Sequence, residues 1–216
     1  MTARDRILTQ LRKAVGSNAE TAEAAAARLA AKAQPAPVPA IAQAEGAKRV
    51  TQFIARAKAA DATVTKLADW DALPAALAEQ LRARNLPAAI RSGADPAFDR
   101  DWGGIEHSTG IGRLAEPATL SRAPLASAET GTLLLASGPE NPVTLTFLGE
   151  THFVAIEAKD ICAGFEDMWA AFRASGLDPR TVNLVTGPSR SADIGQTLQL
   201  GAHGPVALHV FVIGDG

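Results

Sequence analysis

Residues 62–93 constrain the fold more than any other stretch. "ATVTKL" at 62–67 is a short β-branched run, and "PAAIRS" at 87–92 is another. Between them, residues 70–84 put Leu73, Leu77 and Leu81 on one helical face, with Pro74 in the first turn, where its missing N–H has no intrahelical partner to lose. A strand, a helix and a second strand in this order favour parallel pairing, because the crossover helix returns the chain to the same end of the sheet. We therefore expect an α/β protein, a mixed sheet with helices on both faces.

The flanking patterns extend that rhythm. A helix near 44–60 carries Val50, Phe53, Ile54 and Ala57 on one face. Residues 94–128 are rich in breakers and read as loops around one or two short strands. Residues 131–137, 142–149 and 152–158 read as successive strands with tight connections, antiparallel or mixed. A helix follows at about 159–174, then a buried strand at 181–186 and a last strand at 206–213.

The first forty residues differ. Ile7, Leu8, Leu11 and Val15 form a helical stripe that opens on a Thr2/Asp5 capping box and stops at Gly16. Ser17 and Glu20 suggest a second box before an Ala-rich helix, and the Pro-rich "QPAPVPA" at 34–40 breaks helix and reads as a linker. We expect an N-terminal helical arm and linker over 1–40 and a domain over 41–216. The arm fits either packing on its own domain or docking on another subunit.

Composition excludes several classes. A net charge of −2 gives no basic field for nucleic acid. No run approaches the ~18–20 apolar residues of a membrane span, and charged residues occupy the place of a signal peptide's apolar stretch, so a cytoplasmic protein is expected. Cys162 is the one cysteine, too few for a disulfide, a Cys-based zinc site or an iron–sulfur cluster. His107, His152, His203 and His209 show no metal-ligand spacing, so no metal site is expected; His152 and His209 fall in strand patterns and read as structural or solvent-facing.

The densest chemistry lies at 186–205, "TGPSRSADIGQTLQLGAHGP". Read as strand, loop, then helix from about 192, it places Gly187 where backbone can approach a ligand, Pro188 to stiffen the loop, Ser189 and Ser191 as hydroxyl donors, and Ser191 at an N-cap. Free N–H groups at that helix start, with Arg190, would favour a carboxylate or phosphate; Asp193 would orient Arg190 or accept from a ligand hydroxyl. His203, between glycines, would donate to a ligand or cap a carbonyl. Ordinary turn punctuation explains the same residues, and the spacing matches neither a P-loop nor a dinucleotide fingerprint. A second constellation is Glu129, with Thr130 and Gly131, before an apolar strand; a carboxylate there serves as base, nucleophile or ligand acceptor, or as a solvated turn residue. Glu129 and 187–193 are expected to converge on one anion site. No GxSxG elbow is present.

"AETGTLLLASG", "HFVAIEAKDI" and "TGPSRSADIGQTLQLGAHGPVALHV" closely resemble the lactate-utilisation protein C family of LUD-domain proteins, over about 115–213. The resemblance implies a fold like that of ribose-5-phosphate isomerase and coenzyme A transferases. It also implies a part in oxidising L-lactate to pyruvate, with iron–sulfur clusters carried by partner proteins and no cofactor in this chain. The family run Ser/Thr-Ala-Asp-Ile-Glu is here Ser191-Ala192-Asp193-Ile194-Gly195, which deletes a carboxylate. A second reading is an independent acyl or coenzyme A transferase-like enzyme, or a small-carboxylate-binding regulator, using Glu129 in its Glu-x-Gly setting.

Overall fold

The computed structural model describes residues 2–15, 19–31, 37–114, 116–192, 198–201 and 203–215. The chain divides into two units, 1–38 and 39–216. In the first, α1 (Ala3–Val15) and α2 (Ala19–Ala30) are helical. The α1 start is the expected capping box: Thr2 N donates to Asp5 Oδ2 at 2.8 Å and Asp5 N to Thr2 Oγ1 at 3.2 Å. Gly16, Ser17 and the linker residues 34–36 fall outside the described residues.

The second unit opens with α3 (Gly46–Ala59), β1 (Thr63–Leu67), α4 (Leu73–Ala83) and β2 (Ala89–Ser92), as the pattern predicts. There follow β3 (Glu106–Thr109), β4 (Glu116–Arg122), β5 (Leu125–Ser127) and β6 (Thr132–Ala136). Next come α5 (Val143–Leu148), β7 (Gly149–Glu157), β8 (Ile161–Cys162) and α6 (Phe165–Ala174). The chain ends with β9 (Val182–Val185), β10 (Arg190–Ala192), β11 (Leu198–Leu200) and β12 (Ala207–Ile213).

The α/β class holds, and the strands sort into separate sheets. Six form the main sheet in the order β1-β12-β7-β4-β2-β3, with every neighbouring pair parallel. From β2 the chain steps outward to β3; from β4 it steps the other way, to β7 and β12. The crevice beyond the ends of β2 and β4 is therefore a topological switch point. β8-β5-β6-β9 form a smaller mixed sheet. One face of the main sheet buries Phe153, Phe211 and Leu120 against Leu73, Leu77 and Leu81 of α4. The other buries Val154, Ile156 and Val210 against Phe53 and Ala57 of α3 and Leu133 and Leu135 of the small sheet. The outer face of the small sheet packs Leu134 on Met168 of α6. No described helix is long and apolar enough to cross a membrane.

Four expectations are corrected. Residues 142–149 were expected as a strand, but Val143–Leu148 form α5 after Pro142, burying Leu145 and Thr146; tertiary packing overrides the β-branched composition. The helix expected from 159 starts at Phe165, after Gly164; Ala158–Asp160 is a 3-10 turn, and Ile161 and Cys162 pair with β5. Residues 94–128 hold three strands, one of them the seven-residue β4 inside the main sheet. β4 evades hydrophobic patterning because its buried Thr119 and Ser121 find partners: Thr119 Oγ1 donates to Leu145 O at 2.8 Å, and Ser121 Oγ pairs with His152 Nε2 at 2.9 Å. β9, expected to be buried, ends the small sheet's strand order with Leu184 44% exposed.

Candidate functional site

Among the described residues, the segment after β9 carries two paired strands where a helix start was expected. Arg190–Ala192 pair antiparallel with Leu198–Leu200, so Ser191 is a strand residue and no helix N-cap forms there; Asp193 and Gly195 lie outside the described residues. The loop also does not stand beyond the carboxyl ends of the main sheet. Ser189 N donates to Pro205 O at 2.9 Å and Val206 N to Glu150 O at 2.8 Å, which ties the segment to the starts of β12 and β7. Gly187 has φ +74°, and a Cβ there would overlap the Ala60 carbonyl, so the loop rests directly on the backbone behind α3. Arg190 serves this scaffold. Its Nη1 donates to Ser189 O at 3.1 Å and to Val206 O at 3.2 Å, and Nε to Asp61 Oδ2 at 3.4 Å.

Beneath this loop is a cleft of about 210 Å³ between the two sheets. Gly187, Pro188, Ser189 and His203 line it, with Thr146 and Phe147 of α5, His152 of β7 and Leu208 of β12. His152 and His209 are both buried, not solvent-facing. His152 is 1% exposed, and burial pushes its pKa down to about 3, so the ring is neutral at physiological pH. Its Nε2 is held by Ser121; its Nδ1 has no partner among the described residues, and neither has the buried Thr146 Oγ1.

Glu129 sits in the turn between β5 and β6, and its Oε2 accepts from Phe165 N at 3.3 Å, at the first turn of α6. Gly131, φ +73°, brings that turn against Arg56 and Ala57 of α3. Thr130, Thr132 and Thr186 form a hydroxyl chain with successive Oγ1 separations of 2.6 Å, so the two expected loops are linked at one corner of the molecule. Their charged side chains diverge. Glu129 turns to α6 and Arg190 to Asp61, and neither the cleft beneath the loop nor the one described next is lined by both.

A larger cleft, about 510 Å³, opens at the switch point and was not anticipated from the sequence. Asp95, Arg122, Glu140, Asn141 and Asp178 line it. Only the topology brings these residues together; no local spacing signals them. Among the described residues no group of three or more His, Cys, Asp or Glu is placed to hold a metal ion. Cys162 is half-buried, and burial, with Asp167 and Asp160 adding to it against Arg49, pushes its thiol pKa up, which keeps it protonated.

The parallel main sheet, the small sheet packed on one face and a cleft at each end define an α/β domain. The model of the LUD domain family matches residues 17–213, and the chain belongs to that family. The match begins upstream of residue 41, inside the segment expected as an arm. The chain is 38% identical over 98 residues to an uncharacterized protein of Neisseria meningitidis serogroup B, covering 44% of this chain and 42% of the relative. It is 38% identical over 93 residues to lactate utilization protein C of a Geobacillus species, covering 41% and 38%, and 32% identical over 92 residues to the Bacillus subtilis protein of that name, with the same coverage. These matches span about two fifths of the relatives' length. The crystal structure of a DUF162 family protein from Deinococcus radiodurans superposes with a TM-score of 0.62 at 23% identity, covering 79% of this chain and 99% of that one; the likeness is one of fold.

Proposed function

We propose that this protein is a cytoplasmic component of a lactate-utilisation system, supporting oxidation of L-lactate to pyruvate together with iron–sulfur partner proteins. The observation that carries the reading is LUD family membership joined to matched relatives that bear the name lactate utilization protein C. The sequence suits that division of labour: one cysteine cannot supply the thiolates of a cluster, so electron-carrying clusters belong to other chains. Deleting the gene should abolish growth on L-lactate as sole carbon source while growth on glucose continues. Affinity purification from lactate-grown cells should recover companion polypeptides with stoichiometric iron and sulfide. Normal growth of the deletion strain on L-lactate would sink the proposal.

A further inference from the structure

We propose that the apolar patch at the amino ends of β4, β7 and β12 is a two-fold interface with a second copy of this chain, in which Arg113 of each copy meets Glu150 of the other. The inference is independent of the lactate-utilisation reading.

The first support is clustering. Single exposed leucines are ordinary on a protein surface, whereas a contiguous apolar patch marks an interaction site. Among the described residues of the second unit six large apolar side chains are exposed, and five of them gather here. Leu114, Phe147 and Val206 line one groove of about 450 Å³, and Phe147 and Leu184 line the cleft beneath Gly187–Ser189. Ile111 precedes Leu114 in a loop held on α5, where Gly112 N donates to Thr144 Oγ1 at 2.8 Å. Leu114 is 85% exposed and Ile111 65%, so neither contributes to the core of its own chain.

The second support is placement. β12, β7 and β4 are neighbours in the main sheet, and both pairs are parallel. Leu114 stands just before β4, Phe147 just before β7 and Val206 just before β12. Val206 N donates to Glu150 O at 2.8 Å, which joins two of these strand starts. The patch is therefore carried on the most rigid part of the molecule. It lies at the opposite end of the sheet from the switch-point cleft, so a copy seated on it leaves that cleft open.

The third support is charge, which selects the occupant. A two-fold interface sets one patch against itself, so its charges must complement each other. Arg113 adjoins Leu114, and Glu150 lines the groove. Both are exposed, and neither enters an ion pair among the described residues. A two-fold rotation brings each arginine to the other copy's glutamate, and both pairs form at once. A partner surface of one sign would meet either Arg113 or Glu150 with like charge.

The test is sedimentation velocity of the full chain over a range of micromolar concentrations, which should show a reversible monomer–dimer equilibrium. Leu114→Glu should weaken the dimer by about a hundredfold or more, because symmetry counts the loss of a buried leucine twice. Arg113→Glu and Glu150→Arg should each weaken it by about tenfold or more, and the variant carrying both should recover the wild-type association. These two are exposed surface changes, so the test stays decisive if Leu114→Glu does not fold. Leu177→Glu, at the exposed apolar residue outside the patch, should dimerise as wild type does. A monomer at every concentration overturns the inference, as does a dimer that Leu114→Glu leaves intact or a double variant no stronger than its single parents. A monomer that binds a different polypeptide through Leu114 also overturns it.

Discussion

Arg122, at the end of β4, reaches Glu157 at the end of β7, where Nη2 donates to Oε1 at 2.7 Å. The guanidinium also stands 5.5 Å over the Trp70 ring and 3.9 Å from Asp95. Burial raises the Glu157 carboxyl pKa, but Lys159, with Arg122 and Trp70, outweighs it and holds the group below the ordinary carboxylate range. One arginine thus ties two adjacent parallel strands together at the switch-point end.

Arg122→Ala should cost about 1–2 kcal/mol, since it strips a charged hydrogen bond from a mostly buried carboxylate that keeps Lys159. Urea unfolding measures it. An unchanged midpoint would show that the pair contributes nothing net.

Stability should fall as pH drops below about 6.5. His152 and His209 are pushed to about 3 in the folded state, in both cases chiefly by burial, with the Arg84 charge adding to it for His209. Between about 3 and 6.5 the unfolded chain binds more protons, so this contribution is complete above the unfolded pKa and is lost on acidification. Denaturation midpoints between pH 8 and pH 4 should slope downward, and a glutamine at either histidine should flatten the slope. An unaltered slope in both variants would disprove the assignment.

Gly187→Ala should cost about 3 kcal/mol, combining a left-handed φ with a Cβ driven into the Ala60 carbonyl. Gly204→Ala is the control: its Cβ meets only ordinary contacts from Ser189 and Phe147. Equal melting temperatures for the two variants would mean that the loop relaxes freely.

Glu129→Gln should lower stability by about 0.5–1 kcal/mol, because it removes a carboxylate from the N-terminus of α6. Growth on lactate should survive. Loss of growth at unchanged stability would give Glu129 a chemical role, as its Glu-x-Gly setting suggests.

The parts of the fold visible in the sequence are those whose periodicity matches their burial. Leu73, Leu77 and Leu81 announce α4, and β1 and β2 announce themselves through β-branched runs. β4 is hidden because hydroxyls at Thr119 and Ser121 occupy positions where apolar side chains were expected, and their partners, Leu145 and His152, are remote in sequence. α5 is hidden because "VTLTFL" carries strand-like residues into a six-residue helix. At the site, Gly187, Pro188, Ser189 and His203 are legible as a dense polar loop. His152 and Thr146 are not, because each looks like an ordinary strand residue until α5, β7 and β9 meet around one cleft.

The strand order carries a cost during synthesis. Among the described strands β1 comes earliest in the chain and its neighbour β12 latest; Thr63 and His209 stand opposite each other, 146 positions apart. β12 also fills the gap between β1 and β7. While the chain is still on the ribosome, β1 has no sheet to join and β7 presents an unpaired edge. Pairing β1 with β12 therefore closes a long loop, an entropic cost that local contacts do not carry, and it leaves the edge of β7 open until β12 has been made.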